Sequence, residues 1–365
     1  MSSCFGRYFR LSLFGQSHGP GVGVTLDGFP AGMEIDMEDV ARQMARRAPG
    51  QSALTTPRKE SDLPEILSGV FRGKTTGQPL TCLIRNENTR SQDYGEQVDL
   101  PRPGHGDYTG HVRYYGFEDF RGGGHFSARL TAPLVFAGAL CRQYLAGQGI
   151  SAVCHIQQLE NILDKSFLDP VEPGDTPAEV LPTRTLPTLR PELAPQMEAA
   201  ILAARAEQDS VGGVLECRID GLPAGLGAPF FDSVESVLSQ LMFSIPAVKG
   251  IAFGAGFGFA SLRGSQANDP FRMEAGRVVT QGNNCGGILG GITTGGSVIF
   301  RVVVRATPSI AQAQQTVSLQ RGENAELSIR GRHDPCVLPR AVPVVEAMAL
   351  IGIMELWKER CACVR

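Results

Sequence analysis

Apolar and polar positions divide the first 27 residues into two extended runs. Tyr8 to Asp27 is interrupted by Gly15-Gln16-Ser17-His18-Gly19-Pro20-Gly21, a density of glycine and proline that no helix tolerates, so this is a loop between strands. Asp36 to Arg47 reverses the pattern: acidic residues open it, Arg46 and Arg47 close it, and Ala48-Pro49-Gly50 follows. That order matches the helix dipole and predicts a helix ending in two arginines. From Gln51 to Gly124 the chain is polar, arginine-rich and punctuated by glycine and proline, with strand-like pieces only at Ile66 to Arg72 and Leu80 to Arg85. Long loops of this kind usually carry function. Ser127 to Leu145 mixes small and apolar residues without a polar face, the signature of a buried helix. A proline-rich stretch, Leu168 to Ala194, loops out before a helix over Pro195 to Gln208, whose Met197, Ile201 and Leu202 share one face. Helical spacing returns over Asp232 to Ile245, the glycine-dominated Gly286 to Gly296 feeds a strand over Ser297 to Arg305, and Pro339 to Arg360 is helical in pattern.

One stretch echoes another. Val24-Thr25-Leu26-Asp27-Gly28-Phe29-Pro30-Ala31-Gly32 is matched by Cys217-Arg218-Ile219-Asp220-Gly221-Leu222-Pro223-Ala224-Gly225, each after a strand and before a helical pattern. A recurring strand-to-helix turn set by Asp-Gly and Pro would explain it. An internal duplication explains it better and predicts two similar halves about a pseudo-twofold, with no clean boundary between independent domains. The length of 365 residues fits either two domains or one large one.

Charge and composition narrow the function. With 34 Lys and Arg against 37 Asp and Glu, the net charge of -3 supplies no broad positive field for nucleic acid or an anionic membrane. The longest apolar stretch, Ala132 to Cys141, is about half the ~20 residues of a membrane span. The N-terminus has no apolar signal-like region, so the expectation is a soluble, cytoplasmic protein. Nine scattered cysteines contain no C-x-x-C pair, and neither a disulfide framework nor a zinc site is expected. Five of six histidines (His18, His105, His111, His125 and His333) lie in or beside Gly- or Pro-rich loops, where a neutral-pH acid or base is commonly placed. Their spacing matches no metal motif. Arg46, Arg47, Arg58, Arg102, Arg121, Arg129, Arg305, Arg332 and Arg340 mostly neighbour glycine, proline or histidine, which suits one anionic pocket better than scattered salt bridges. Gly19 to Gly23 and Gly254 to Gly258 lack the context of a dinucleotide fingerprint, and no P-loop occurs.

Taken together, the motifs resemble the chorismate synthase family, in register from Phe14 to about Ile351. They are Gly15-Gln16-Ser17-His18-Gly19, Asp27 to Gly32, Arg46-Arg47-Ala48-Pro49-Gly50-Gln51-Ser52, Arg102-Pro103-Gly104-His105-Gly106-Asp107-Tyr108, Arg121-Gly122-Gly123-Gly124, Ser210-Val211-Gly212-Gly213, Gly286 to Gly291, and Gly331-Arg332-His333-Asp334-Pro335-Cys336. The resemblance implies an α+β fold, a β-α-β sandwich with internal pseudo-twofold symmetry, in halves of roughly residues 8–150 and 200–350, assembled as a homotetramer. It implies a lyase reaction of the shikimate pathway to aromatic amino acids: anti 1,4-elimination of phosphate from 5-enolpyruvylshikimate 3-phosphate, giving chorismate. Reduced FMN is required without net redox change, and a separate system must reduce the flavin.

Residue roles follow from the same resemblance. His18 matches the histidine that protonates the departing phosphate, and His105 the one that donates a proton to the reduced flavin. Asp334 matches the aspartate that takes the flavin N5 proton, and Ser17 assists. Arg47, with Arg46, Arg58 and Arg129, matches positions for the substrate anion or NADP. FMN is assigned to His125, Phe126, Ser127, Pro246, Ala247, Gly290, Arg305, Ala306, Thr307, Pro308, Ser309 and Arg332. No metal is expected. Several positions depart from the usual pattern: His125-Phe126-Ser127 for Arg-Ser-Ser, Pro246 for Asn, Arg305-Ala306 for Lys-Pro, Ala53 for Arg and Gln16 for Glu. An imidazole at His125 in place of guanidinium predicts ligand affinity that is more pH-dependent, weakening above the free-imidazole value of about 6.5.

Two other readings share these motifs. A catalytically silent flavin-binding protein on the same fold would be marked by loss of His18, His105 or Asp334, all of which are present. Against a flavin oxidoreductase with a nicotinamide donor stand the missing dinucleotide fingerprint and the lack of an extra domain. NADPH consumption without substrate separates them.

Overall fold

The computed structural model describes residues 3–50, 54–55, 60–87, 99–329 and 334–363. Two five-stranded antiparallel sheets enclose a layer of helices. The first has the order Cys4–Phe5, Arg10–Gly15, Gly21–Asp27, Leu80–Arg85, Pro64–Ser68, and the second Val248–Phe253, Val298–Val304, Gly213–Asp220, Ser151–Leu159, Ile162–Leu163. The helix Thr131–Ala146 packs on the first sheet, Leu338–Cys363 packs on the second, and the two pack on each other. Their apolar residues point in all directions because each is covered on all sides over most of its length, as expected for Ser127 to Leu145. A methyl group on Gly138 would sit 2.3 Å from Cβ of Ala347, so glycine is what lets these helix axes approach. The fold is the α+β sandwich that the resemblance implies.

Most boundaries lie within two residues of the sequence reading. Met37–Arg47 is a helix capped by the Asp36 carboxylate, which accepts from the backbone of Glu38 and Asp39. Ile66 to Arg72 is not one strand but two, Pro64–Ser68 and Val70–Phe71, divided at Gly69 with φ +83°. Strand Gly21–Asp27 and strand Gly213–Asp220 hold the middle of their sheets and end in the same Asp-Gly turn, with φ +81° at Gly28 and +79° at Gly221. A Cβ at Gly28 would fall 2.3 Å from the Tyr8 carbonyl oxygen, and one at Gly221 1.9 Å from that of Gly149. The echo in sequence is thus an echo in backbone geometry.

Buried acids tie the layers together. Glu346, on the long C-terminal helix, accepts both Arg46 guanidinium nitrogens at 2.6 and 3.1 Å, Arg142 at 2.9 Å and the Cys154 amide at 3.0 Å. Glu355 on the same helix accepts the backbone N–H groups of Arg7, Tyr8 and Phe9. Among the described residues no helix is long and apolar enough to cross a membrane.

Candidate active site

A cavity of about 420 Å³ opens where the second sheet ends and the two central helices begin. Val304 to Ser309 leaves strand Val298–Val304 along one wall, Ile245 to Ala247 leaves the helix Val234–Ser244 along another, and Thr131, Val337, Arg340 and Ala341 bring in the N-terminal ends of Thr131–Ala146 and Leu338–Cys363. Two long helices therefore point their positive ends at the space. Arg47, Arg102, Lys249, Arg305 and Arg340 add formal cations, while Phe126, Ile245, Pro246, Val304, Val337 and Val344 supply apolar surface. Flat apolar walls with a cationic rim suit ligands that combine a ring with phosphate or carboxylate groups.

Of the three glycines Gly122, Gly123 and Gly124, the first two form the floor beneath two histidines and the third packs against the Asp119 carbonyl. All have positive φ, at +59°, +82° and +52°. A Cβ on Gly122 would lie 2.2 Å from the His18 ring and one on Gly123 3.0 Å from the His105 ring, so any side chain would displace one of them. Ser17 Oγ bonds the Gly122 carbonyl at 3.0 Å and stands 3.3 Å from His18 Nδ1. His18 is 8% exposed and lies behind Gly122, whereas His105 lines the cavity directly.

His105 is held by a hydrogen bond to a carboxylate. Its Nδ1 is 2.6 Å from Asp107 Oδ1, a carboxylate that can only accept, so the proton of the neutral ring sits on Nδ1. Arg102 donates Nε to Asp107 at 2.7 Å and approaches the same imidazole through Nη2. Burial pushes the Asp107 carboxyl up, but the Arg102 and His105 contacts outweigh it and hold the group well below the usual carboxylate range. Asp334 lines the cavity and pairs with Arg340 Nη1 at 2.5 Å, and Arg340 Nε also donates to the Arg47 carbonyl. Arg47 is buried among Asp62, Thr131 and the Ala128 carbonyl. Burial, then repulsion from Arg340, lowers its pKa to about 10, which leaves it charged at neutral pH. Asp62 joins Arg47 to Arg129, whose guanidinium also meets Glu60 at 2.7 Å.

The candidate residues thus divide. His105, Asp334, Arg47, Phe126, Ser127, Pro246, Ala247, Arg305, Thr307, Pro308 and Ser309 line one cavity. Ser17 and His18 abut it through Gly122, and Arg129 reaches it through Asp62. Arg46 faces the other way, onto Glu346 and a neighbouring cleft. Gly290, in the Leu289–Ile292 hairpin turn, and Ala306 do not line the space. Arg58 and Arg332 lie outside the described residues. His125 also turns away: its Nδ1 meets the Gly15 carbonyl at 2.8 Å and its Nε2 meets Ser3 Oγ at 2.9 Å. Its neighbour Phe126 takes the cavity wall, against Gly106 and Gly110. The expected pH-dependent ligand contact through His125 therefore has no geometric basis here. The sequence reading did not single out Asp107 or Lys249. Asp107 was detectable two residues after His105, while Lys249 had no local signal.

The cavity has the cations and apolar walls of a site for anionic ligands, and comparison with known proteins gives the family of the chain. The family model described as chorismate synthase matches residues 9–357. Chorismate synthase of Methanosarcina mazei is 47% identical over 349 residues, covering 95% of this chain and 93% of that protein. The enzyme of Dehalococcoides mccartyi is 45% identical over 363 residues, covering 98% and 96%. A crystal structure of chorismate synthase superposes with a TM-score of 0.75 at 28% identity, covering 98% of this chain and 93% of that one. The chain belongs to the chorismate synthase family.

Proposed function

We propose that this cavity is where the chain, an enzyme with chorismate synthase activity, converts 5-enolpyruvylshikimate 3-phosphate to chorismate and phosphate with reduced FMN bound beside the substrate. The observation that carries this reading is the convergence of His105, Asp334, Arg47 and the Arg305 to Ser309 segment on one space, with His18 directly behind Gly122. The residues fit a flavin: Phe126, Pro246 and Val304 offer apolar surface to a ring system, and the buried Thr307 Oγ1 has no hydrogen-bond partner among the described residues. An orphaned hydroxyl of this kind is a place for a ligand oxygen.

In the reaction the allylic C–O bond to phosphate breaks and its electron pair leaves with the phosphate, while a ring C–H bond breaks and its pair supplies the new double bond as the existing one shifts, so the balance involves no oxidant. A reduced flavin held by Phe126, Pro246, Val304 and Thr307 would supply electron density and a base for the ring proton. Arg47, held rigidly by Asp62 and Thr131, presents a fixed cation to the substrate. His18 delivers a proton to the departing phosphate. His105, whose Nδ1–H is held by Asp107, can give a proton to the cofactor from Nε2 only in its doubly protonated form. Asp334 accepts a proton, and Arg340 keeps its carboxylate oriented. The same reading takes the chain as one domain of two halves, about residues 8–150 and 200–350, assembled as a homotetramer in the cytoplasm and supplied with reduced flavin by a separate system. The shared Asp-Gly turn at the central strand of each sheet supports the halves.

Variants test the roles. His18→Ala and Asp334→Ala are expected to bind substrate and FMN yet form chorismate at least ~10²-fold more slowly under anaerobic conditions. Near-normal turnover in both variants would remove these residues from the chemistry.

A further inference from the structure

We propose that Lys249 is a binding residue for the phosphate of the flavin cofactor, an inference that rests on the flavin reading above. An exposed lysine is ordinarily a solvated surface charge. Three features set this one apart. The first is its place in the sheet. Val248 pairs with Val304 and Gly250 with Val303, so Lys249 is the extra residue of a β-bulge between strands Val248–Phe253 and Val298–Val304. Bulges bend a strand and re-aim a side chain, and they recur beside active sites. Two residues before it, Ala247 has φ +75°, a left-handed conformation rare for a residue with a Cβ, and its carbonyl accepts the Arg305 amide at 3.0 Å. Two consecutive irregularities thus place Lys249 on the wall of the cavity.

The second feature is charge. The other four cations of the cavity are engaged: Arg47 by Asp62, Arg102 by Asp107, Arg340 by Asp334, and Arg305 by the Gly104 and Ala306 carbonyls. Lys249 makes no hydrogen bond or ion pair with any described residue. It is the cation in the cavity wall whose charge no described protein group answers. The third feature is the company it keeps. Its strand is hydrogen-bonded beside the one that runs into Arg305, and the same wall continues to Thr307, whose buried Oγ1 lacks a partner. A bulge-borne ammonium, a guanidinium and an orphaned hydroxyl on one wall make a receptor for a phosphate monoester.

The test compares wild type, Lys249→Ala and Lys249→Arg in anaerobic titrations, with dissociation constants measured separately for reduced FMN and for 5-enolpyruvylshikimate 3-phosphate. Lys249→Ala is expected to weaken FMN about tenfold and to leave the substrate within about twofold, and Lys249→Arg to recover most of the loss. Unchanged FMN affinity in Lys249→Ala, or an equal loss for the substrate, would overturn the assignment while the flavin reading stands. A wild-type protein that binds no FMN would overturn both.

Discussion

His105 and His155 each face carboxylates, and their surroundings suit them to opposite uses. His105 meets Asp107 through Nδ1 and lines the cavity with the rest of its ring. His155 has both ring nitrogens facing acids, Nε2 at 3.1 Å from Glu216 and Nδ1 at 3.5 Å from Asp164, and its surface is fully buried. Phe167 closes over it edge-on at 4.7 Å, and Glu216 also accepts from Ser166 Oγ and the Phe167 amide. Asp164 accepts the amides of Lys165, Leu189 and Arg190. The second pair therefore fastens the proline-rich loop to the second sheet, and no ligand can reach it. The same chemistry is suited to proton transfer or to bracing according to whether one side of the ring is left open.

The contrast can be broken by mutation. The largest effect expected is on turnover: His105→Ala should lower kcat by roughly 10²- to 10⁴-fold while leaving the melting temperature almost unchanged. His155→Ala should do the reverse, costing about 3–5 kcal/mol because it leaves two buried acids without their partner, with kcat of the folded fraction retained. Chemical denaturation and steady-state rates on the two variants check both. The next effect is one of pH. Burial works against a charge on His155, but the Asp164 and Glu216 contacts outweigh it and raise the pKa. A raised folded value means the stabilisation is complete below the unfolded pKa of about 6.5 and is lost as pH rises through the folded value. Wild type should therefore lose thermal stability on the alkaline side, and His155→Gln should lack that component of the slope. Asp107, with its lowered pKa, has the opposite sign: its contribution is present above about pH 4 and is lost only as pH falls through the folded value. The smallest effect sharpens the other boundary of the site. His125→Ala should shift FMN affinity by less than about twofold between pH 6 and 8, since that ring bonds Gly15 and Ser3.

Local grammar made much of the fold legible. The acidic start and basic end of Met37–Arg47 and the all-round apolar character of Thr131–Ala146 needed no tertiary information. The glycine cluster at 122–124 was legible as a motif, but its purpose was not, because the clash it avoids is with rings from residues 18 and 105. His125 shows the limit more sharply. Its place in the chain marked it as a ligand contact, yet backbone geometry turns the ring to Gly15 and gives the wall to Phe126. Lys249 was invisible because its exposure to the cavity depends on a register shift between two strands some 50 residues apart, which no local window contains.

The central claim is that this one cavity performs a redox-neutral elimination. Its most direct test is an anaerobic reaction of the purified protein with reduced FMN and 5-enolpyruvylshikimate 3-phosphate, in which chorismate absorbance and released phosphate are followed together. The account predicts equal amounts of chorismate and phosphate, over many turnovers, with no net flavin oxidation. Flavin bound in the cavity with neither product formed, or flavin oxidised in proportion to product, would contradict it.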